Sequence, residues 1–304
     1  MQTNGETRVG VVGLGSMGLG VARSLLRAGL VVHGFDVRRE PLATLAAAGG
    51  VPAATPAALG AAVDALVVLV VNAEQTDAVL FGVDGAAPAL RPGAVVLTSA
   101  TVAPEYATAL GDRLSAMGLL HLDAPVSGGA AKADAGQLTV MASGAPAAFD
   151  AARPVLDVMA AQVHRLGERS GQGSKVKAVN QLLAGVHIAA AAEAMALCIR
   201  SGADPAVVYD VICGSAGASW MFQNRVPHIL AGDYTPLSAV SIFVKDLGIV
   251  LDAGRKLGMP LPLTSTAHQM FLLAAAAGHA GEDDSAVVKI FPGVPLPGRR
   301  GGEE

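Results

Sequence analysis

Val9-Gly10-Val11-Val12-Gly13-Leu14-Gly15-Ser16-Met17-Gly18 is the stretch that decides the fold. A short apolar run leads directly into glycines at 13, 15 and 18. The pattern predicts a strand over 9–12, a tight turn, and a helix over 17–28 that ends at Gly29. One glycine permits the turn, one lets the backbone approach a pyrophosphate, and one lets helix pack on strand. The helix start then offers unpaired N–H groups and a positive dipole end to the phosphates, from Gly13, Gly15, Ser16, Met17 and Gly18. Such a turn can also exist without a ligand. Asp36 weighs against that, because it closes a second strand over 30–35 and stands 18 residues after Gly18. A carboxylate there accepts hydrogen bonds from the adenosine ribose and favours NAD over a cofactor with a 2′-phosphate. Arg38 and Arg39 soften that preference, since an arginine in this position can hold the phosphate; a solvated turn explains them equally well.

Outward from this loop, short apolar runs alternate with helical stretches. Residues 65–71 and 94–97 are continuous apolar strands of the kind covered on both faces. Residues 119–122 and 137–142 read as two more. The alternation predicts an α/β class, with a Rossmann-type doubly wound sheet over residues 1–166. The pattern changes near Gly167. No proline interrupts 170–200, and apolar residues recur at three and four, which predicts one long helix ended by Ser201-Gly202. Further helices are expected over 205–213, 220–231, 240–257, 262–278 and 284–291. The second domain, 167–293, is therefore expected to be all-α and to serve substrate binding and oligomerisation. The active site is expected in the cleft between the two domains. Residues 294–304 are Pro/Gly-rich and expected to form a flexible tail.

A chain of 304 residues accommodates two cores, and 52% hydrophobic content excludes a disordered one. The uninterrupted apolar run Ala65–Val71 is too short to span a bilayer. Residues 182–192 run longer but carry His187 and end at Glu193. The polar start, Met1 to Arg8, contains no apolar signal region, so the expected location is the cytoplasm. A net charge of −4 with no long basic run makes nucleic acid and anionic membrane poor partners. Cys198 and Cys213 read as buried thiols, and the histidines show no metal-like spacing, so no metal is expected. An Ala-rich exposed helix face makes a homodimer or homotetramer plausible.

The second chemical signal is Lys177-Ala178-Val179-Asn180-Gln181. Lys177 and Gln181 are four apart and share a helix face, with Asn180 adjacent. Oxidation of an alcohol needs a base to take the hydroxyl proton as hydride leaves carbon. A desolvated lysine can do this near neutral pH, and the same ammonium donates the proton in reduction. The two amides can hold a hydroxyl or carboxylate without adding charge. A solvated helix lysine is the ordinary alternative; the amides and the Gly171-Gln172-Gly173 approach weigh against it.

Together these motifs resemble the β-hydroxyacid dehydrogenases, a family that includes 3-hydroxyisobutyrate dehydrogenase, tartronate semialdehyde reductase and 6-phosphogluconate dehydrogenase. Gly13–Gly18 is similar to the family's cofactor loop. Asp123-Ala124-Pro125-Val126-Ser127-Gly128-Gly129 is similar to its substrate loop, and Gly136–Met141 to the strand that follows. Lys177-x-x-Asn180-Gln181 is similar to its catalytic helix, and Lys245-Asp246-Leu247-Gly248 to its late motif. The resemblance covers residues 8 to 293. It implies Lys177 as catalytic acid/base, and Ser127, Gly128, Gly129, Asn180 and Gln181 as substrate-binding. It implies Asn72, Thr101 and Lys245 at the cofactor beside Gly13, Gly15, Ser16, Met17, Gly18 and Asp36. Many members carry Asn where this chain has Gln181, so its amide reaches about 1.5 Å further.

Residues 181–188, Ser219-Trp220-Met221-Phe222, Asp233-Tyr234-Thr235-Pro236 and 283–287 carry a narrower resemblance, to NAD-dependent members acting on a small polyhydroxy acid. Taken by themselves, several of these residues have plainer readings. Asn72 can end a strand in a simple turn, and Thr101 can cap a helix. Lys245 can be a solvated lysine paired with an acid. Trp220 and Phe222 can wall a pocket or sit in the core, and His187 can pack or donate from behind. A dehydrogenase or reductase of 3-hydroxyisobutyrate or tartronate semialdehyde stays open, as does a non-catalytic dinucleotide-sensing module.

Overall fold

A computed structural model describes residues 7–297. They form two compact units, one up to Lys177 and one from Ala178 onward. The division falls inside the long helix.

The first unit runs β1 (Arg8–Val12), α1 (Ser16–Arg27), β2 (Val31–Phe35), α2 (Arg39–Ala47), β3 (Val51–Pro52), α3 (Pro56–Ala62), β4 (Ala65–Val68), α4 (Ala73–Phe81), β5 (Val95–Thr98), α5 (Pro104–Ala116) and β6 (Leu120–Asp123). These strands pair in parallel in the order β3-β2-β1-β4-β5-β6. The order reverses between β1 and β4, so the crevice beyond their C-terminal ends is where an open α/β sheet receives a ligand. Gly13 and Leu69 lie there.

The continuous apolar character of these strands follows from burial on both faces. Val9, Val11, Ala65, Val67, Val95 and Leu97 pack with Leu14, Val21 and Leu25 on one side. Val12, Leu66, Val68 and Val96 pack with Leu59, Leu80 and Leu114 on the other. Each fully buried Leu or Val among them contributes about 1.5–3 kcal/mol. The strand expected over 65–71 ends at Val68, and Val71 is 45% exposed. The remaining residues turn into α4, which starts at Ala73.

One expected strand belongs elsewhere. After β6 the chain forms β7 (Val126–Ser127), α6 (Gly129–Asp134), β8 (Leu138–Ala142), α7 (Pro146–Met159) and β9 (Ala160–Arg165). The strand expected over 137–142 is β8, and it lies in a separate sheet ordered β7-β8-β9, antiparallel to β7. Only residues 128–137 separate β7 from β8, fewer than the dozen or more that a parallel crossover needs. An isolated bridge, Asp123 with Ser143, ties this part to the end of β6.

The long helix α8 (Gln172–Arg200) leads into the helical unit. It continues with α9 (Pro205–Cys213), α10 (Trp220–Ala231), α11 (Val240–Leu257) and α12 (Pro262–Ala274), matching the expected spans up to residue 274. The last part of the expected 262–278 helix widens into a π turn over 275–279, where Gly278 takes a φ of +95°. The expected 284–291 helix is a 3-10 helix, Asp284–Ile290. By length and composition α8 could cross a membrane. Its Ile188, Ala192 and Met195 are instead buried in the helical core with Phe222, Val226, Phe243 and Phe271. Phe243 and Phe271 stack at 5.1 Å. Arg225 on α10 makes a two-pronged ion pair with Asp284, at 2.5 and 3.0 Å, inside this core. Burial pushes the Asp284 carboxyl up to about 6, against the pull of the guanidinium.

Val294 and Leu296, within the segment expected to be a loose tail, pack against the helical core. Arg200 Nη1 donates to the carbonyls of Pro292 and Gly293 just before them. The rest of that segment, 298–304, lies outside the described residues. Cys198 is buried, Cys213 half-buried, and both are free thiols.

Candidate active site

The glycine loop is built around two contacts that no side chain could share. A Cβ on Gly18 would lie 1.8 Å from the Gly13 carbonyl oxygen, and one on Gly13 would lie 2.7 Å from that of Leu69. Gly13 also takes a φ of +85°, which favours glycine. At Gly15 the opposite holds: a Cβ would meet no atom within 4 Å. Gly15 is the N-cap of α1, with no side-chain cap and no acidic residue in the first turn. The start of α1 at Gly15 therefore borders open space at a positive helix end. That arrangement fits a pyrophosphate.

Asp36 is buried at the end of β2 and holds this loop in place. Its Oδ2 accepts from Leu14 N at 2.8 Å, and its Oδ1 accepts from Arg38 N at 2.9 Å. The Arg38 guanidinium donates to both oxygens, at 3.1 and 3.2 Å. Burial pushes the Asp36 carboxyl up, but the Arg38 hydrogen bonds and charge, with the Leu14 N–H, outweigh it and hold the group below its ordinary range. Arg38 is thus a partner of Asp36, and Arg39 opens α2 in an exposed position.

Asn72 is the N-cap of α4. Its Oδ1 accepts from Gln75 N at 2.8 Å, while Gln75 Oε1 accepts from Val71 N at 2.9 Å, a reciprocal capping pair. Thr101 is half-buried after β5, and the residue at the cap of α5 is Ala103, so the helix-cap alternative for Thr101 is not realised.

The lysine site begins with Asp123, the last residue of β6 and 1% exposed. Its Oδ2 accepts from Gly171 N and Ser174 N, both at 2.9 Å, and from Ser143 Oγ at 3.2 Å. Its Oδ1 accepts from Ser174 Oγ at 2.7 Å. Burial raises the Asp123 carboxyl, and these donors pull it back down in part. One turn beyond Ser174, buried Lys177 donates from Nζ to the Val126 carbonyl at 2.8 Å. Val126 directly precedes the Ser127-Gly128-Gly129 turn. Gly128 and Gly129 take φ values of +136° and +75°, both favouring glycine. A Cβ on Gly129 would meet nothing within 4 Å, so the turn's backbone is open to a ligand. A Cβ on Gly20 of α1 would lie 2.7 Å from Asp134 N, so α1 and α6 touch backbone to side. The phosphate loop and the Ser127–Gly129 turn lie in the same compact unit.

His121, two residues before Asp123, is also buried. Its Nε2 lies 2.9 Å from Thr98 Oγ1 and its Nδ1 lies 2.8 Å from Ser170 Oγ. Burial pushes its pKa down to about 3, so the ring is neutral.

In the helical unit, Asn180 Nδ2 donates to Gln181 Oε1 at 3.0 Å, and Gln181 Nε2 donates to Asp246 Oδ2 at 2.5 Å. Lys245 Nζ donates to Asp246 Oδ1 at 2.5 Å. Both ends of the Gln181 amide are therefore engaged inside the protein. Its longer side chain reaches the buried Asp246 carboxylate. Trp220 is half-exposed at the start of α10, while Phe222 is core and stacks on Tyr209 at 5.9 Å. His187 is half-buried. Among the described residues no group of three His, Cys, Asp or Glu side chains could hold a metal.

Several residues of these networks carry no role in the sequence reading, among them His121, Asp123, Ser174 and Asp246. Asp123 and Asp246 stand inside quoted motifs, and an acid inside an apolar or glycine-rich motif is a legible signal. His121 and Ser174 have no such signal, because their partners are remote in sequence.

Comparison with known proteins adds to this geometry. Residues 8–167 match the NAD binding domain of 6-phosphogluconate dehydrogenase. Residues 171–291 match the family described as NAD-binding of NADP-dependent 3-hydroxyisobutyrate dehydrogenase. The chain is 64% identical over 291 residues to an L-threonate dehydrogenase of Cupriavidus necator, covering 96% of this chain and 98% of that protein. It is 54% identical over 301 residues to an L-threonate dehydrogenase of Escherichia coli K12, covering 99% and 100%. A crystal structure described as 3-hydroxyisobutyrate dehydrogenase from Salmonella typhimurium superposes with a TM-score of 0.90 at 55% identity, covering 94% of this chain and 100% of that one.

Proposed function

This chain belongs to the β-hydroxyacid dehydrogenase family, and from that premise we propose that it oxidises the C2 hydroxyl of L-threonate to 2-dehydro-L-erythronate with NAD. The observation that carries the reading is the buried Lys177 Nζ, 2.8 Å from the carbonyl that immediately precedes the Ser127-Gly128-Gly129 turn. An amine and an anion-binding turn joined in this way suit a hydroxy acid, whose hydroxyl and carboxylate are neighbours.

Ser127 Oγ and the N–H groups of Gly128 and Gly129 hold the substrate carboxylate. Lys177, as the neutral amine, takes the C2 hydroxyl proton at Nζ, and as the ammonium it returns that proton in the reverse direction. The Val126 carbonyl accepts from Nζ in both protonation states and so fixes its direction. Asn180 orients a substrate hydroxyl, steadied by Gln181 and Asp246 behind it. NAD, when bound, supplies the hydride acceptor. Gly13, Gly15, Ser16, Met17 and Gly18 would hold its pyrophosphate, and Asp36 its adenosine ribose after Arg38 moves aside. Asn72, Thr101 and Lys245 would complete the cofactor's surroundings. The same reading makes the enzyme cytoplasmic and a homodimer or homotetramer, supported by the apolar face that α8 exposes at Val179, Leu183 and Leu197.

The first test is NADH formation by the purified protein with L-threonate, D-threonate, the erythronates, D-glycerate and 3-hydroxyisobutyrate, each with NAD and with NADP. Selective turnover of L-threonate with NAD supports the reading. A second reading, 3-hydroxyisobutyrate oxidation, is favoured by the name of the Salmonella structure. Product chemistry separates them, since C2 oxidation leaves a stable 2-keto acid and C3 oxidation gives a β-keto acid that loses CO2. Lys177→Ala should lower kcat by about 10²–10⁴-fold while NADH affinity is kept. Loss of both together points to a folding defect.

A further inference from the structure

Lys177 lies on a helix whose start is not capped by its own neighbours. The backbone N–H groups of Gly171 and Ser174 are satisfied by a carboxylate that arrives from β6, at Asp123. We propose that Asp123 is a positioning residue for the proton transfer, setting the place of Lys177 by holding the start of α8. The proposal rests on the reading of Lys177 as acid/base.

Two cross-links join the same two segments and close a ring. Asp123 bonds Ser174 through Oδ1 and Oδ2, and Val126, three residues after Asp123, accepts from Lys177, three residues after Ser174. The helix start cannot slide or rotate without breaking one of the two. Its contact with the strands is also backbone-close. A Cβ on Gly173 would lie 2.3 Å from the Met141 carbonyl oxygen and 2.8 Å from that of Asp123. Gly173 N donates to Ser143 Oγ at 2.9 Å, and Ser143 Oγ donates to Asp123 Oδ2. His121 steadies the preceding residue, Ser170, whose carbonyl also accepts from Thr108 Oγ1 at 3.0 Å. The N–H groups of Gly171, Gly173 and Ser174 at this helix start thus converge on one carboxylate and its partner hydroxyl. An ordinary cap supplies one or two such bonds from the residue before the helix. Here the anchor is also the segment that carries the substrate turn, so the amine is registered against the place where the carboxylate binds.

The test compares Asp123→Asn with wild type, using the full chain, L-threonate and NAD, with NADH binding followed by fluorescence titration. Asn keeps the shape, but it trades an acceptor oxygen for a donor that faces Gly171 N–H and Ser174 N–H, or Ser174 Oγ. The expected result is a kcat about tenfold or more below wild type, with NADH affinity within about twofold and melting still above the assay temperature. In a Lys177→Ala background the same change should alter residual turnover by less than about twofold, since the residue that Asp123 positions is gone. An equal loss in both backgrounds, or a kcat within about threefold of wild type, overturns the proposal. Should Asp123→Asn fail to fold, Ser174→Ala, which removes the Oδ1 bond alone, replaces it with its own thresholds: kcat is expected to fall about threefold in the wild-type background and to stay unchanged in Lys177→Ala, and an equal effect in both backgrounds, or none in either, overturns the proposal. A Lys177→Ala enzyme with full turnover would instead refute the acid/base reading. A crippled Lys177→Ala beside an unaffected Asp123→Asn defeats the positioning role alone.

Discussion

Acidification from pH 7.5 to 5.0 should cost the folded protein about 2 kcal/mol through His121 alone. The imidazole is buried between Thr98 and Ser170, and in the folded state its pKa is about 3. An unfolded histidine titrates at about 6.5. A base whose folded pKa is depressed gives a contribution that is intact above the unfolded value and is lost as the pH falls through 6.5 toward 3. At pH 5.0 the unfolded chain holds this proton in nearly every molecule and the folded chain in almost none. RT ln(1 + 10^1.5) is then about 2 kcal/mol, against less than about 0.1 kcal/mol at pH 7.5. Other groups titrate over the same range, so the measurement must be differential. Urea unfolding, followed by circular dichroism at both pH values, is compared for wild type and His121→Gln. The glutamine offers a donor and an acceptor but no charge. Wild type should lose about 2 kcal/mol more than the variant. Equal losses would mean that the ring accepts its proton in place, and the neutral, doubly bonded histidine would be refuted. Ser170 adjoins Gly171, so the same step should loosen the start of α8, readable as faster amide exchange at Gly171 and Ser174.

Gly18→Ala should abolish NADH binding, because its Cβ would sit 1.8 Å from the Gly13 carbonyl and force the loop open; fluorescence titration checks this, and retained binding would contradict the cradle. Gln181→Asn withdraws the amide from Asp246 by one methylene and leaves a buried carboxylate short of a donor. Stability should fall by about 1–3 kcal/mol, and the substrate KM should rise while NADH affinity holds, measured by urea unfolding and steady-state kinetics.

Much of the fold was legible because its signals are local. The glycine spacing at 13, 15 and 18 and the continuous apolar strands depend on contacts within a few residues or on burial from both sides. Helices α9, α10 and α11 announce themselves through Pro205 at a helix start, Ser219 as a cap, and Gly232 and Gly258 as left-handed stops. The second sheet was not legible, because periodicity identifies β8 as a strand without naming its neighbour. The partner of Gln181 was not legible for a similar reason: its helix face was clear, but the carboxylate it donates to lies 65 residues away.

The sequence by itself determined the α/β class, the phosphate loop and the helix that carries Lys177. These follow from backbone sterics and hydrophobic periodicity, which act over one or two turns of chain. Only the tertiary structure decided which groups hold Lys177 and which hold Gln181. Asp123 reaches the start of α8 from 51 residues before Ser174, and Asp246 reaches Gln181 from a later helix. Hydrogen bonds of buried charge depend on separations of a few tenths of an ångström, and residue spacing along a chain carries no record of them.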